Sequence, residues 1–128
     1  MESCSIIEYP ITIQQGATFN LPIMVVDEVN YVETPTVLTG WTAHMQARNS
    51  FGSNETLFDL STANGGITIT TSPDGIQPSL INASIPGATT AAFTTPWKGY
   101  YDLKIFLPTG EIDRIIQGPA WVSPEVTQ

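Results

Sequence analysis

Glycine or proline interrupts this chain so often that no run of helix-forming residues lasts beyond a turn or two, which argues against a helical fold. Ten Gly and ten Pro are spread along 128 residues. Between these interruptions apolar and polar residues alternate with the period of a β-strand. In "WTAHMQAR", Trp41, Ala43, Met45 and Ala47 share one face, read as the buried one, and Thr42, His44, Gln46 and Arg48 share the other. In "WKGYYDLKIFLPTGEIDRIIQG", Tyr101, Leu103, Ile105 and Leu107 face inward and Tyr100, Asp102, Lys104 and Phe106 outward, and Pro-Thr-Gly turns the chain back. The return strand is expected to set Ile112, Arg114 and Ile116 against Asp113 and Ile115. Asp102, Lys104, Asp113 and Arg114 are expected together on the outer face, where opposite charges across strands favour the hairpin.

Further strands are read at "PITIQQG", at "TFNLPIMVVD", at "TLFDLS" and "GITIT" around the "TANGG" turn, and from Ile76 to Ile85 after "TSPDGI". Pro22 requires an edge or a bulge, since it cannot donate to a ladder on both sides. "VNYVETPTVLTG" reads as a polar loop leading to Trp41, which is assigned to the core. "PGATTAAF" is the one place for a short helix, around 87–93, bounded by Pro86 and Pro96. About seven to nine short strands with Gly/Pro turns give an all-β chain, an immunoglobulin-like antiparallel β-sandwich with at most one short helix. A Cys pair around a Trp is absent, which excludes an antibody-type domain in the strict sense. The expected organisation is an N-terminal arm or first strand over 1–15, a sandwich domain over 16–122 and a C-terminal tail over 123–128. A chain of this length can bury one real core.

Charged residues are only 12% of the chain, yet 12 acids against four bases leave a net charge of −8. A phosphate backbone is repelled by most of such a surface, so direct nucleic-acid binding is not expected. The start lacks a basic region followed by an apolar stretch, and no apolar run reaches the length of a membrane span. The reading is therefore a protein made soluble in a cytoplasm.

The sole histidine, His44, falls on the polar face of its strand, and the sole cysteine, Cys4, falls near the N-terminus. No nucleophile and base pair can be chosen from such a set, so no catalytic residue is assigned. Asp27, Glu28 and Asp74 fall at turns without the spacing of an oxygen-ligand loop, and the turn glycines do not follow a strand and open a helix, so no metal and no cofactor is expected. The sequons at Asn54 and Asn82 carry no weight without a secretion signal. Trp41, Trp97, Trp121, Tyr100 and Tyr101 leave a sugar-stacking platform as a rival reading, which requires exposed coplanar rings. The residues read as interface candidates are Ile6, Ile7 and Tyr9 near the N-terminus, Trp97, Phe106 and Trp121 around the hairpin, and Val126 in the tail.

Two stretches, "GWTAHMQARNSFGSNETLFDLSTANGGITI" and "YYDLKIFLPTGEIDRIIQGPAWVSPEVTQ", resemble a group of small proteins encoded among the virion structural genes of tailed bacteriophages and prophages. The recurring elements are a G-W-x-A-x-M-Q-x-R strand, an L-x-x-x-N-G-G-I turn, and a closing Y-D-L … G … R-I-I-x-G … V-S-P-E-V-T segment. The likeness runs from Gly40 to the C-terminus. It implies an immunoglobulin-like or baseplate-upper-protein-like sandwich in a tail, baseplate or neck, holding neighbouring subunits or fibres and having no enzymatic role. The implied partners are other virion proteins and further copies of the chain in a symmetric ring or array, and the implied location is the virion. A capsid decoration protein and a host-glycan-binding module are the alternatives.

Overall fold

A computed structural model of the chain describes residues 7–29, 32–35, 37–49, 56–71 and 79–126, with residues 26–29 and 32–35 described by their backbone only. In chain order the elements are β1 (Ile7–Glu8), β2 (Ile11–Gln14), β3 (Phe19–Val29), β4 (Val32–Pro35), β5 (Thr42–Arg48), β6 (Thr56–Ser61), β7 (Ile67–Thr70), β8 (Ser79–Ile85), α1 (Gly87–Thr90), β9 (Trp97–Phe106) and β10 (Ile112–Ser123). They form two sheets. One has six strands in the order β1-β10-β9-β5-β6, with β2 also on β10, and the other has four in the order β4-β3-β8-β7.

Taking β2, β3 and β5–β10 in chain order, the third, fourth, seventh and eighth of these share one sheet while the second, fifth and sixth share the other. This is the C, C′, F, G against B, E, D partition of an immunoglobulin-like sandwich. The ladders are antiparallel except at the N-terminus, where β1 and β2 both run parallel to β10.

The core forms where the inward sets of the two sheets meet. Leu103 is fully buried on β9, opposite Met45 of β5 and Ile116 of β10. Ile81, equally buried on β8, lies opposite Ile23 of β3 and Ile69 of β7. Ile11, Ile13, Ala43, Ala47, Tyr101, Ile105 and Val122 join them from the larger sheet, and Leu21, Ile67, Ala83 and Ile85 from the smaller. Trp41 is partly buried and packs on this cluster. Pro22 pairs with Asn82 in the part of β3 that has a neighbour on one side only, where its missing N–H leaves no gap in a ladder.

Several local expectations change. The segment read as a loop before Trp41 contains β4, which folds back on β3 with Glu28 opposite Glu33. The strand expected from Ile76 to Ile85 is described over Ser79–Ile85, and residues 76–78 lie outside the described residues. On β10 the register shifts between Arg114 and Ile116, so Ile115 is an extra residue. Arg114 therefore lies opposite Lys104 on the outer side while Ile116 lies opposite buried Leu103, and the expected shared face of Ile112, Arg114 and Ile116 is not formed. Asp113 pairs with Ile105 and belongs to the inner side, not with the outer charges as expected.

Candidate functional site

Strand parity puts every lysine and arginine of the chain on one surface, the outer face of the six-stranded sheet. Arg48 is an outward residue of β5, Lys98 and Lys104 are outward residues of β9, and Arg114 is opposite Lys104 on β10. The only histidine, His44, is there too, opposite Lys104. Among the described residues, Glu8, Asp59 and Asp102 are the acids of this face. Among the described residues of a chain of net charge −8, this face thus carries more bases than acids.

The groups on this face form two linked clusters that together span five strands. On its β6 side, Asp59 Oδ1 is 2.7 Å from His44 Nε2, and Gln46 Nε2 donates to Asp59 Oδ2 at 2.6 Å. Arg48 Nη2 donates to Gln46 Oε1 at 3.0 Å. On the β10 side, Arg114 Nε lies 3.4 Å from Asp102 Oδ2 and Arg114 Nη1 donates to Gln117 Oε1, while Gln117 Nε2 donates to Glu8 Oε1 at 2.7 Å. Between the two halves lies a shallow depression of about 410 Å³, bordered by Arg48, Tyr100, Asp102 and Lys104. The hydrogen bond from Gln46, helped by His44 and Arg48, holds the Asp59 carboxyl below its ordinary value of 3.8 against a smaller opposing effect of burial.

What holds the N-terminal edge of this face is a buried phenol. Tyr101 is inward on β9, and its hydroxyl donates to the backbone carbonyl of Tyr9 at 2.5 Å, where the chain passes from β1 to β2. Burial raises the Tyr101 pKa above its ordinary 10.0, with Tyr9 and Glu8 adding to the effect. Tyr9 also donates its N–H to Gln117 O at 2.8 Å, so its backbone passes directly over Gly118. A Cβ at Gly118 would stand 2.6 Å from Tyr9 O, so glycine is what permits this approach.

A second junction fixes the far end of the sandwich. Thr90 is fully buried on α1, accepts the Gly16 N–H at 3.0 Å and donates to Ala17 O at 2.8 Å, pinning the β2–β3 turn to the helix. Sequence reading assigned no role to Thr90, because nothing in "GATT" distinguishes a buried hydroxyl from a solvated one.

The interface candidates separate into distinct places. Ile7 and Tyr9 are exposed at 59% and 49% beside β10, and Val126 is exposed at 97%. Ile6, Cys4, Asn54 and Asp74 lie outside the described residues. Phe106 is half-buried on the outer face. Trp97 and Trp121 fall on opposite faces: Trp97, opposite inward Val122, packs against the core, whereas Trp121, opposite Lys98, is outward with Lys98 Nζ 5.0 Å from its ring centroid. Of the rings named for a sugar platform, Trp97 and Trp121 therefore do not share a surface, while Tyr100 and Trp121 are both outward.

His44, Asp59 and Ser61 are neighbours, since His44 pairs with Ser61 across the ladder. Ser61 Oγ accepts the Asn64 N–H within its own turn, and among the described residues no hydrogen bond joins it to His44. The described residues contain no group of three or more His, Cys, Asp or Glu that could hold a metal, and no helix long and apolar enough to cross a membrane. Sequence reading overlooked Asp59, although period-two parity in "TLFDLS" places it outward beside His44.

The chain matches no family model and no curated protein. A solved structure of murine CRIg is similar to it at 9% identity, over 91% of this chain and 92% of that one, with a TM-score of 0.38. A likeness of that degree carries no argument, and the fold assignment rests on the strand pairing.

Proposed function

We propose that the protein is a non-enzymatic structural module of a bacteriophage virion that works through the outer face of its six-stranded sheet. The observation that carries the docking role is the gathering of Arg48, Lys98, Lys104 and Arg114 on that one face of an otherwise acidic chain. Charges sorted in this way orient a partner and exclude wrong ones. Tyr100 and Trp121 on the same face supply aromatic area of the kind enriched at interfaces. A place in the tail, baseplate or neck is supported by the resemblance of the Gly40 to Gln128 region to virion structural proteins, with capsid decoration as the alternative site. A host-glycan-binding module stays as the alternative, resting on Tyr100 and Trp121 of the outer face and not on Trp97, which packs against the core.

Mass spectrometry of purified particles from a phage or prophage encoding the chain tests this. The chain is expected in multiple copies per particle, cross-linked through Lys98 or Lys104 to a neighbouring virion protein or a further copy. Its presence in infected cells and absence from particles would refute the assignment.

A further inference from the structure

We propose that Asn64 is the site of a slow self-modification, deamidation at the Asn64–Gly65 step, and that the native turn between β6 and β7 holds this site closed. The co-reactant is water, and the step is independent of any docking role.

Asn64–Gly65 is the only Asn-Gly step in the chain. Glycine has no Cβ to shield its main-chain nitrogen, which leaves that nitrogen open to attack the preceding asparagine Cγ. The new N–Cγ bond closes a succinimide ring, the Gly65 N–H proton passes to solvent, and the side-chain nitrogen departs as ammonia after taking up a proton from water. Water then opens the ring at either carbonyl. One opening gives aspartate, and the other gives isoaspartate, in which the main chain runs through Cγ. Asn64 and Gly65 are both exposed, and among the described residues even a Cβ added at Gly65 would meet nothing within 4 Å.

What opposes the step is the hydrogen bonding of Asn64 itself. Its Oδ1 accepts the Ser61 N–H at 3.0 Å and the Gly66 N–H at 2.9 Å, and its Nδ2 donates to Asp59 O at 2.9 Å. The Asn64 N–H donates to Ser61 Oγ at 3.1 Å, which ties the backbone as well. Hydrogen bonds of an amide lie near its plane, whereas a nucleophile approaches Cγ through the face of that plane. Turning the face toward the Gly65 nitrogen therefore pulls both ends of the amide off their partners. Three such bonds lost together slow the step by roughly a hundredfold at their usual net strength.

The products would be felt at the join between the two layers, since β6 belongs to the six-stranded sheet and β7 to the four-stranded one. Isoaspartate lengthens the main chain there by one carbon. Aspartate sets an oxygen against Asp59 O where Nδ2 now donates, and adds a negative charge.

Incubating the full chain in mildly alkaline buffer, folded and in concentrated urea, and following position 64 by peptide mapping and mass spectrometry tests the proposal. In urea Asn64 is expected to convert ahead of every other asparagine, and Gly65→Ala should slow that conversion. The folded chain should convert at least about tenfold more slowly than the unfolded one. Ser61→Ala removes the acceptor of the Asn64 N–H; shown to be folded by circular dichroism, it should convert about fivefold faster than the folded parent, with its rate in urea unchanged. Equal rates for the folded and unfolded parent would overturn the inference. So would a faster rate in the folded chain, because the two N–H donors on Oδ1 would then polarise Cγ for attack instead of holding it. A folded Ser61→Ala chain no faster than the parent, a Gly65→Ala chain no slower in urea, or earlier conversion at another asparagine would each overturn it as well.

Discussion

Leu103→Ala tests the inward register on which both faces of the larger sheet depend. Leu103 is fully buried at the middle of β9, with Met45 on one neighbouring strand and Ile116 on the other. Truncation removes three carbons, and at ~0.8 kcal/mol per buried methylene the transfer loss is about 2.4 kcal/mol. Met45 and Ile116 are held by their own ladders and cannot fully collapse into the space, so a cavity contribution raises the expected loss to about 3–4 kcal/mol. For a domain of this size that corresponds to a fall in Tm of about 10–15 °C. Thermal and urea unfolding followed by circular dichroism measure it, with Lys104→Ala as the control. Lys104 is the next residue on the same strand and is exposed, so its loss should fall within ~0.5 kcal/mol. A Leu103→Ala chain as stable as the parent, with Lys104→Ala the damaging change, would mean that the parity of β9 is inverted. The basic face would then be an inner one, and the functional proposal would fall with it.

Three other perturbations address particular groups. Tyr101→Phe removes the donor to Tyr9 O and should cost about 1–3 kcal/mol. Because the folded Tyr101 pKa is raised, its contribution is fully present below the unfolded value near pH 10 and is lost as pH rises above it. The parent should therefore melt progressively lower in alkali, with Tyr101→Phe showing a flatter dependence; equal slopes would argue against the buried phenol. Asp59 has the opposite sign: its lowered pKa gives stability that is present above 3.8 and is lost as pH falls from there through the folded value. The effect is small because both side chains are well exposed, so Asp59→Asn should slightly flatten the acid limb of the melting curve, and no change in that limb would count against the Gln46 and His44 contacts. Thr90→Val keeps the shape but leaves the Gly16 N–H and Ala17 carbonyl without their partner, an expected loss of about 1–3 kcal/mol by urea titration. A neutral result would mean that water replaces the hydroxyl there.

Most of the strands were legible because their chemistry is local. Alternation in "WTAHMQAR" and "YYDLKIF" is enough to sort Met45 and Leu103 from His44 and Lys104, and Pro86 with Pro96 bounds α1. What was not legible depends on partners distant in sequence. The parallel attachment of β1 and β2 to β10 leaves no local mark, since Ile11 and Ile13 alternate with polar residues as they would in an antiparallel edge. β4 was hidden because "VETP" is polar and proline-bearing, which describes an edge ribbon as well as a loop. The candidate face was half visible: each base could be assigned an outward parity on its own strand, but only the strand order shows that β5, β9 and β10 are neighbours and that the charges meet.

The bulge at Ile115 shows how the core and the basic face are reconciled in one strand. In a regular strand residues two apart share a side, so Arg114 and Ile116 would go together, either burying a guanidinium or exposing an isoleucine. Burying an unpaired cation costs far more than inserting one residue into a ladder. The extra residue changes parity between them: Arg114 goes outward to Asp102 and Gln117, and Ile116 goes inward against Leu103. The same shift gives Gln117 an outward position, from which it links Arg114 to Glu8 at the N-terminal edge. From Ile116 to Val122 the corrected parity then delivers Gly118, Ala120 and Val122 to the core and Pro119 and Trp121 to the outside. Without the bulge, the stretch from Ile116 to Ser123 would be turned over, with Val122 in solvent and Trp121 in the core. One inserted residue thus sets both the packing of the last strand and the composition of the surface that it presents.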